Sequence, residues 1–361
     1  MADDALITIA TRHQSHYERL KSSEVKKFDE FLVTMERDIR NKLTSQDITE
    51  FTRSRLEKKL KQIGTLMRGT FEEYKKVWRE SVTDAADYEA GFEVRSLEKV
   101  VDDVEFAMPS DSQLTKAVFN TPLGDIGGPS GGSLLEPWFD DMTATEIKRV
   151  QGEIRLGYAQ GETTSSIVRR IRGTKAANYA DGALAITKRN ADTITKTSLQ
   201  HAAMQSRGEV WQKNDSVVKK RRIVATLDQR TSTICRSLDG QEFPLDKGPK
   251  PPFHPNCRTS ETAVLADKYA DLSRGRTRAE RDPETGDIGR VSANKSYYEW
   301  LKTQPAKVQN SIIGPTRGKL LRKGDISAER FSELQLGKNF EPLTLDQMRK
   351  IEPTAFDKAG L

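Results

Sequence analysis

The sequence predicts a mainly α protein with a small α+β domain, on three observations. Apolar residues recur at helical spacing through most of the first hundred positions and again beyond residue 140. A single short β-branched run, Ile223-Val224-Ala225-Thr226-Leu227, is followed by a dense set of turn residues. Between and after these lie Gly/Pro-rich or strongly polar stretches that cannot build a core of their own. The expected architecture is an elongated N-terminal helical hairpin (1–108), a Gly/Pro linker (109–140), a helical domain with short strands (141–264), a basic polar arm (265–295) and an irregular helical C-terminal tail (296–361).

Composition agrees with an extended helical molecule. The chain has 361 residues, of which 35% are hydrophobic and 31% charged, and a mean hydropathy of −0.68. That length suffices for two or three domains. A chain this polar implies a high surface-to-volume ratio or segments that order in an assembly. No apolar run approaches the roughly 18 residues of a membrane span. The start MADDALITIA lacks a basic segment followed by an apolar core, so no signal peptide and no membrane contact are expected. Two cysteines in such a chain point to a reducing compartment. The net charge of +6 is uneven: residues 1–105 carry 19 Lys+Arg against 22 Asp+Glu. The basic excess therefore lies beyond residue 105 and favours a polyanionic partner.

Taken in order, Phe28, Phe31, Leu32, Met35, Ile39 and Leu43 fall on one helical face, and Leu56, Leu60, Ile63, Met67, Phe71, Tyr74 and Trp78 on another. Thr44-Ser45-Gln46-Asp47 is a break and N-cap signal between them. A third helix is expected through Val94, Leu97, Val101 and Val104. Pro122, Gly127-Gly128-Pro129 and Gly131-Gly132 mark the linker. Thr143-Ala-Thr-Glu146 has the form of a capping box opening a helix through Tyr158. Thr163-Thr164-Ser165-Ser166 opens a short helix, and a longer one is expected from about 185 to 212. Lys219-Lys220-Arg221-Arg222 runs into the β-branched strand. Such a run either faces water or meets phosphates. Arg274, Arg276 and Arg278 lie in the polar arm, either a disordered segment or a hairpin, and join that run as candidate DNA contacts.

The chemistry-bearing stretch is residues 223–260, which gathers both cysteines and one of the four histidines. Cys235, His254 and Cys257, as C…H-x-x-C, offer soft and imidazole ligands to a tetrahedral zinc ion. A fourth ligand would come from Asp228, Asp239, Glu242 or water, because the position three before Cys235 is Ser232. The competing reading makes both cysteines small buried residues, has His254 cap a turn, and pairs Arg258 with Asp228 or Asp239. A disulfide is a third choice.

Leu227-Asp228-Gln229-Arg230-Thr231, Cys235-Arg236-Ser237-Leu238-Asp239-Gly240 and Pro251-Pro252-Phe253-His254-Pro255-Asn256-Cys257-Arg258 together resemble the Mu F-like phage minor head proteins, or head morphogenesis proteins. Asp228, Thr231, Asp239, Gly240, Pro252 and Arg258 are the structural residues of that pattern. Many family members have C-x-x-C where this chain has Ser232-x-x-Cys235. Arg169-Arg170-Ile171, Arg189-Asn190-Ala191 and Trp211 extend the resemblance toward the N-terminus. The tail forms YxxWLKxQP, GPTRxKLxRxG and PLTLxxM extend it to residue 361. The resemblance implies a minor capsid protein inside the phage head near the portal, made in the host cytoplasm. Its implied partners are the portal protein, a major capsid or scaffolding protein, and double-stranded DNA without sequence preference. It implies no catalytic residue. An alternative enzyme, a metal-dependent nuclease or toxin-like effector, would use His254 with Asp228 and Asp239. A host DNA-binding module is a further alternative, and no groove-reading motif supports it.

Overall fold

The N-terminal apolar stripes are long enough to sustain two very long helices. The computed structural model describes residues 2–45, 53–124, 131–269 and 277–361. In it α1 runs Ala2–Thr44 and α2 runs Arg53–Glu98. Val94 and Leu97 thus end α2 rather than starting a third helix. Gln46 and Asp47 of the expected cap, and Gly127-Gly128-Pro129 of the expected linker, fall outside the described residues. The chain divides into two compact units that interleave along the sequence: 1–18, 86–132 and 200–361 form one, and 19–85 with 133–199 the other. The expected boundaries at 108 and 140 do not coincide with these.

The second of these units is helical. Its part of α1 and its part of α2 pack antiparallel, since Phe28 meets Phe71 and Tyr74 while the Lys59 ammonium donates to the Leu43 carbonyl. Met35, Ile39, Met67, Trp78, Phe139, Ile147, Val150 and Ile154 complete the buried side. The last four belong to α4, Leu135–Ala159, which starts eight residues before the Thr143 box. Thr143 is therefore an interior helical residue. Glu146 is fully buried and accepts from Thr187 at 2.7 Å and Asn190 at 2.6 Å on α6, Ala183–Lys213. These two bonds offset the cost of burying a carboxylate. Between them α5, Thr164–Arg172, is capped by Thr163 as the sequence predicts. Gly157 lets α5 approach, because a Cβ there would stand 2.6 Å from the Ile167 side chain.

The first unit holds the strands. Part of the expected linker is folded: Ser110 and Gln113 form a capping box that opens α3, Asp111–Phe119, and buries Leu114, Val118 and Phe119. An antiparallel sheet of order β2-β1-β3 comprises β1 Val218–Val224, β2 Glu242–Pro244 and β3 Ser260–Leu265. The Lys219–Arg222 run is therefore the strand itself, with Arg221 facing Ala263 and Phe243 across the sheet. The polar arm is in part a hairpin of β4 Thr277–Arg281 and β5 Ile288–Ser292. Six short helices follow as the tail: α8 Tyr297–Lys302, α9 Ala306–Ile313, α10 Pro315–Lys323, α11 Ala328–Glu333, α12 Leu345–Ile351 and α13 Pro353–Ala359. They enclose a core of Tyr297, Tyr298, Trp300, Leu320, Phe331, Met348 and Phe356. Among the described residues no helix is long and apolar enough to cross a membrane.

His201 on α6 is fully enclosed, with its Nε2 3.1 Å from the Val118 carbonyl at the end of α3. Burial pushes its pKa down to about 4. The unfolded imidazole takes a proton below about 6.5, so stability is complete above that value and is lost as pH falls toward 4. In urea titrations the wild type should lose about 2–3 kcal/mol more than His201→Gln between pH 7.5 and 4.5. Equal losses in the two proteins would remove His201 from the acid response.

Candidate metal and ion-pair centre

The turn chemistry after β1 assembles the site. Asp228 folds the chain back on itself: its carboxylate accepts from the Arg230 amide at 3.0 Å and the Thr231 hydroxyl at 3.1 Å. Its remaining capacity goes to the Arg258 guanidinium at 2.6 and 2.9 Å, a two-pronged pair that matches guanidinium to carboxylate geometry. Burial works to raise the Asp228 pKa, but Arg258 and Thr231 outweigh it and hold the carboxyl below its ordinary range. The expected Arg258 pairing is thus with Asp228.

Ser232 then caps α7, Thr233–Leu238, its hydroxyl accepting from the Cys235 amide. At the helix end Gly240, at φ 84°, makes the turn into β2 that a residue with a Cβ would strain. Asp239, beside it, collects three segments. It accepts from the Ala225 amide at 2.7 Å, the Tyr297 amide at 2.7 Å and the Arg278 guanidinium at 3.0 and 3.1 Å. Arg278 is 3% exposed.

Pro251 and Pro252, joined by a cis peptide bond, lead into His254-Pro255-Asn256-Cys257. Proline second and asparagine third, at φ 59°, suit a type II turn, and the Cys257 amide donates back to the His254 carbonyl at 3.1 Å. This turn brings imidazole and thiol to the same side, against Cys235. The Cys235 and Cys257 sulfurs are 3.6 Å apart, and His254 Nε2 lies 3.2 Å from Cys235 Sγ. Both cysteines are buried and free, so the disulfide alternative does not describe this state.

The donor set fits a tetrahedral ion. Bond lengths of about 2.3 Å to sulfur and 2.0–2.1 Å to nitrogen give ligand separations of roughly 3.6–3.8 Å. The three ligand atoms here lie within 4.8 Å of one another. His254 Nδ1 is 2.9 Å from the Pro255 carbonyl, so Nδ1–H donates there and Nε2 is turned toward the sulfurs. In the ion-free form the Cys235 thiol is pushed up, first by its hydrogen bond to Cys257 and then by burial. For Cys257 burial acts upward too, but hydrogen bonds from Cys235 and His254 override it and favour the thiolate. That thiolate raises the His254 pKa. A thiolate poised beside a second thiol and an imidazole is a site where a soft cation displaces protons.

None of the three carboxylates expected as a fourth ligand takes part. Asp228 is committed to Arg258 and Asp239 to Arg278, and among the described residues the cluster is Cys235, His254 and Cys257 alone. Glu242 pairs instead with Lys220 and Arg222. The Ser232 hydroxyl lies beside this cluster, 3.0 Å from His254 Nε2.

The candidate DNA contacts divide sharply. Arg221 is fully buried, pairs with Glu261 and donates to the Pro249 carbonyl at 2.9 Å. Arg278 is buried against Asp239. A guanidinium in either place reaches no phosphate, so both leave the candidate set. Lys219 and Lys220 are exposed, Arg222 is half-buried, and Arg274 and Arg276 lie outside the described residues.

One buried cluster was missed from sequence. Arg207 on α6 is fully enclosed and binds Glu89 at 2.6 Å, with Glu93 at 3.9 Å. Glu93 accepts from the Trp211 indole at 2.7 Å and Glu89 contacts His13 at 2.5 Å. The signal was available: Ala85, Glu89, Glu93 and Leu97 continue the apolar face of α2 at spacings of four.

The strand pattern, the saturated turn carboxylates and the buried Cys–His–Cys cluster define a small α+β segment held by internal ion pairs. Residues 148–262, roughly a third of the chain, match the family model described as Phage Mu protein F like protein, so this segment is similar to that family. No curated protein and no solved structure matches the chain. The tail forms noted above lie beyond the matched residues.

Asp239→Asn leaves the Arg278 charge buried without a counter-charge and should destabilise by about 3–5 kcal/mol in urea titration at pH 7. A loss under about 1 kcal/mol would show that the pair is not needed to hold these segments together.

Proposed function

We propose that this chain is a minor capsid protein of a tailed bacteriophage that acts in head morphogenesis inside the capsid near the portal, by contact and not by catalysis. The observation that carries the reading is the Mu F-like match over 148–262. Its expected contacts are the portal protein and the major capsid or scaffolding protein, with duplex DNA touched through phosphates at Lys219 and Lys220. The two carboxylates a nuclease would need beside His254 are saturated by Arg258 and Arg278, which supports a structural role for the centre. Mass spectrometry of purified procapsids and virions should find the chain in low copy number. The same protein should bind duplex DNA of any sequence, with a salt slope smaller by about one for each of Lys219→Glu and Lys220→Glu. Absence from both particles, or plasmid cleavage that His254→Ala abolishes, would overturn the reading.

In this account Cys235, His254 and Cys257 hold a structural zinc, which supplies a cross-link between α7 and the 254–257 turn. Elemental analysis should give about one zinc per chain. Cys257→Ser should lose both the metal and the cooperative melt, while Ser232→Cys should hold zinc more tightly against chelator. Zinc-free wild-type protein that melts unchanged by added zinc would end the metal account.

A further inference from the structure

The buried arginines of the chain follow one pattern with one departure. Arg207, Arg221 and Arg278 each stand beside a carboxylate, Glu89, Glu261 and Asp239. Arg236 on α7 is 9% exposed and has none among the described residues. Its partners are neutral oxygens, the Ile312 carbonyl at 3.1 Å, the Thr233 hydroxyl at 2.7 Å and the phenols of Tyr297 and Tyr298, and its Nε has no acceptor. Neutral oxygens compensate an enclosed guanidinium less well than a carboxylate does, so the surroundings of Arg236 leave it open to an anion.

Its position says what would offset it. Ile312 is at the end of α9, and Gly314 closes that helix and opens α10. The α10 N-terminus has no side-chain cap, so the amides of Thr316 and Arg317 are among the free donors of its first turn. A first turn normally favours acidic side chains, yet here the charged residue is Arg317. Arg317 is half-buried and it too donates to a carbonyl, that of Leu343, at 2.7 Å. Burial and the nearby Arg236 charge both lower the Arg317 pKa, and burial keeps the phenols of Tyr297 and Tyr298 protonated, so no phenolate neutralises the pair. Two guanidinium groups and a positive helix end meet at one junction, and Gly314, Thr316 and Arg317 leave it open to solvent on one side.

We propose that the α9–α10 junction is an oxyanion site, in which Arg317 and the first-turn amides of α10 grip a phosphate group and Arg236 supplies charge from beneath. The ligand is a phosphate oxyanion, either free inorganic phosphate or a phosphate of a nucleic acid backbone. Helix N-termini and arginine forks are both suited to that group, and together they give charge and direction.

The test uses the full-length chain. Its thermal midpoint is followed in sodium phosphate against sodium chloride at equal ionic strength, at fixed pH. Phosphate should raise the midpoint saturably, as mass action requires for a ligand of the folded state. Arg317→Gln, at a partly exposed position, should weaken phosphate at least about tenfold, the loss of one charge-assisted contact. Lys323→Gln, at the other end of α10, should leave the response intact. Duplex DNA is then titrated into both proteins. Weaker DNA binding in Arg317→Gln, with competition by phosphate in the wild type, assigns the site to backbone phosphate. Equal DNA binding with the phosphate response lost assigns it to the free ion. A midpoint that responds alike to phosphate and chloride, or a phosphate response that Arg317→Gln keeps in full, overturns the proposal.

Discussion

Asp239 sets the constraint on which the strand-bearing unit depends. Its two oxygens accept from the amide that follows β1, the amide that starts α8 and the guanidinium of β4. Those donors come from three stretches that have no other reason to be adjacent in sequence. A carboxylate is the one side chain that can accept from all of them while neutralising Arg278. Arg278 in turn reaches the carbonyls of Ala225 and Lys295. The motif module, the β4–β5 hairpin and the tail are therefore coupled through one buried pair, and a change at any of the three is felt by the others. Buried pairs are poor sources of net stability but good sources of register, because a shifted strand would leave charges unmatched.

The same economy governs the rest of the basic charge. Composition places the cationic excess beyond residue 105, and a reader of the sequence assigns it to a polyanion. Some of the cations are paired internally: Arg207, Arg221 and Arg278 lie in the interior with carboxylates, and Arg258 lies half-buried on Asp228. The opposing carboxylates respond to this. Burial raises the Glu93 pKa against the pull of Arg207, whereas at Glu89 the pull of Arg207 and His13 prevails over burial. Each such pair removes one charge of each sign, so the net excess survives, but which cations carry it to the surface cannot be read from the run: Lys219 and Lys220 are exposed while Arg221 is not.

The elements legible in the sequence were those whose signal is local. The α1 and α2 stripes, the Thr163 cap, the Gly240 turn and the His254–Cys257 turn all follow from periodicity or from residues that fix φ. Two local signals misled or were passed over. Thr143-x-x-Glu146 has capping-box form but sits inside α4, because Leu135 and Phe139 already extend the apolar face toward the N-terminus. Ser110-x-x-Gln113 is a true box hidden at the edge of a Gly/Pro-rich stretch. What stayed illegible was pairing across the chain. Lys219–Arg222 reads as a solvated run until Glu242 and Glu261 are placed beside it on the neighbouring strands. Nothing in spacing says that Asp228 and Asp239 are spent on Arg258 and Arg278 and not on a metal.

Ser232 shows how one position can serve two demands that pull apart. As the cap of α7 its hydroxyl must accept from the Cys235 amide, a role in which oxygen is good and sulfur poor. As the residue facing His254 Nε2 it stands where a closed four-ligand shell would want a thiolate. With serine the helix start is well capped, and a metal held by Cys235, His254 and Cys257 would meet a neutral hydroxyl at that corner instead of a thiolate. The fold can accept that weaker corner because its other joints do not depend on it: Asp228–Arg258 fixes the loop before α7 to the residue after Cys257, and Asp239–Arg278 fixes the helix end to the hairpin. The two ion pairs thus fix both ends of the short segment that carries Cys235, and they do so without a cation.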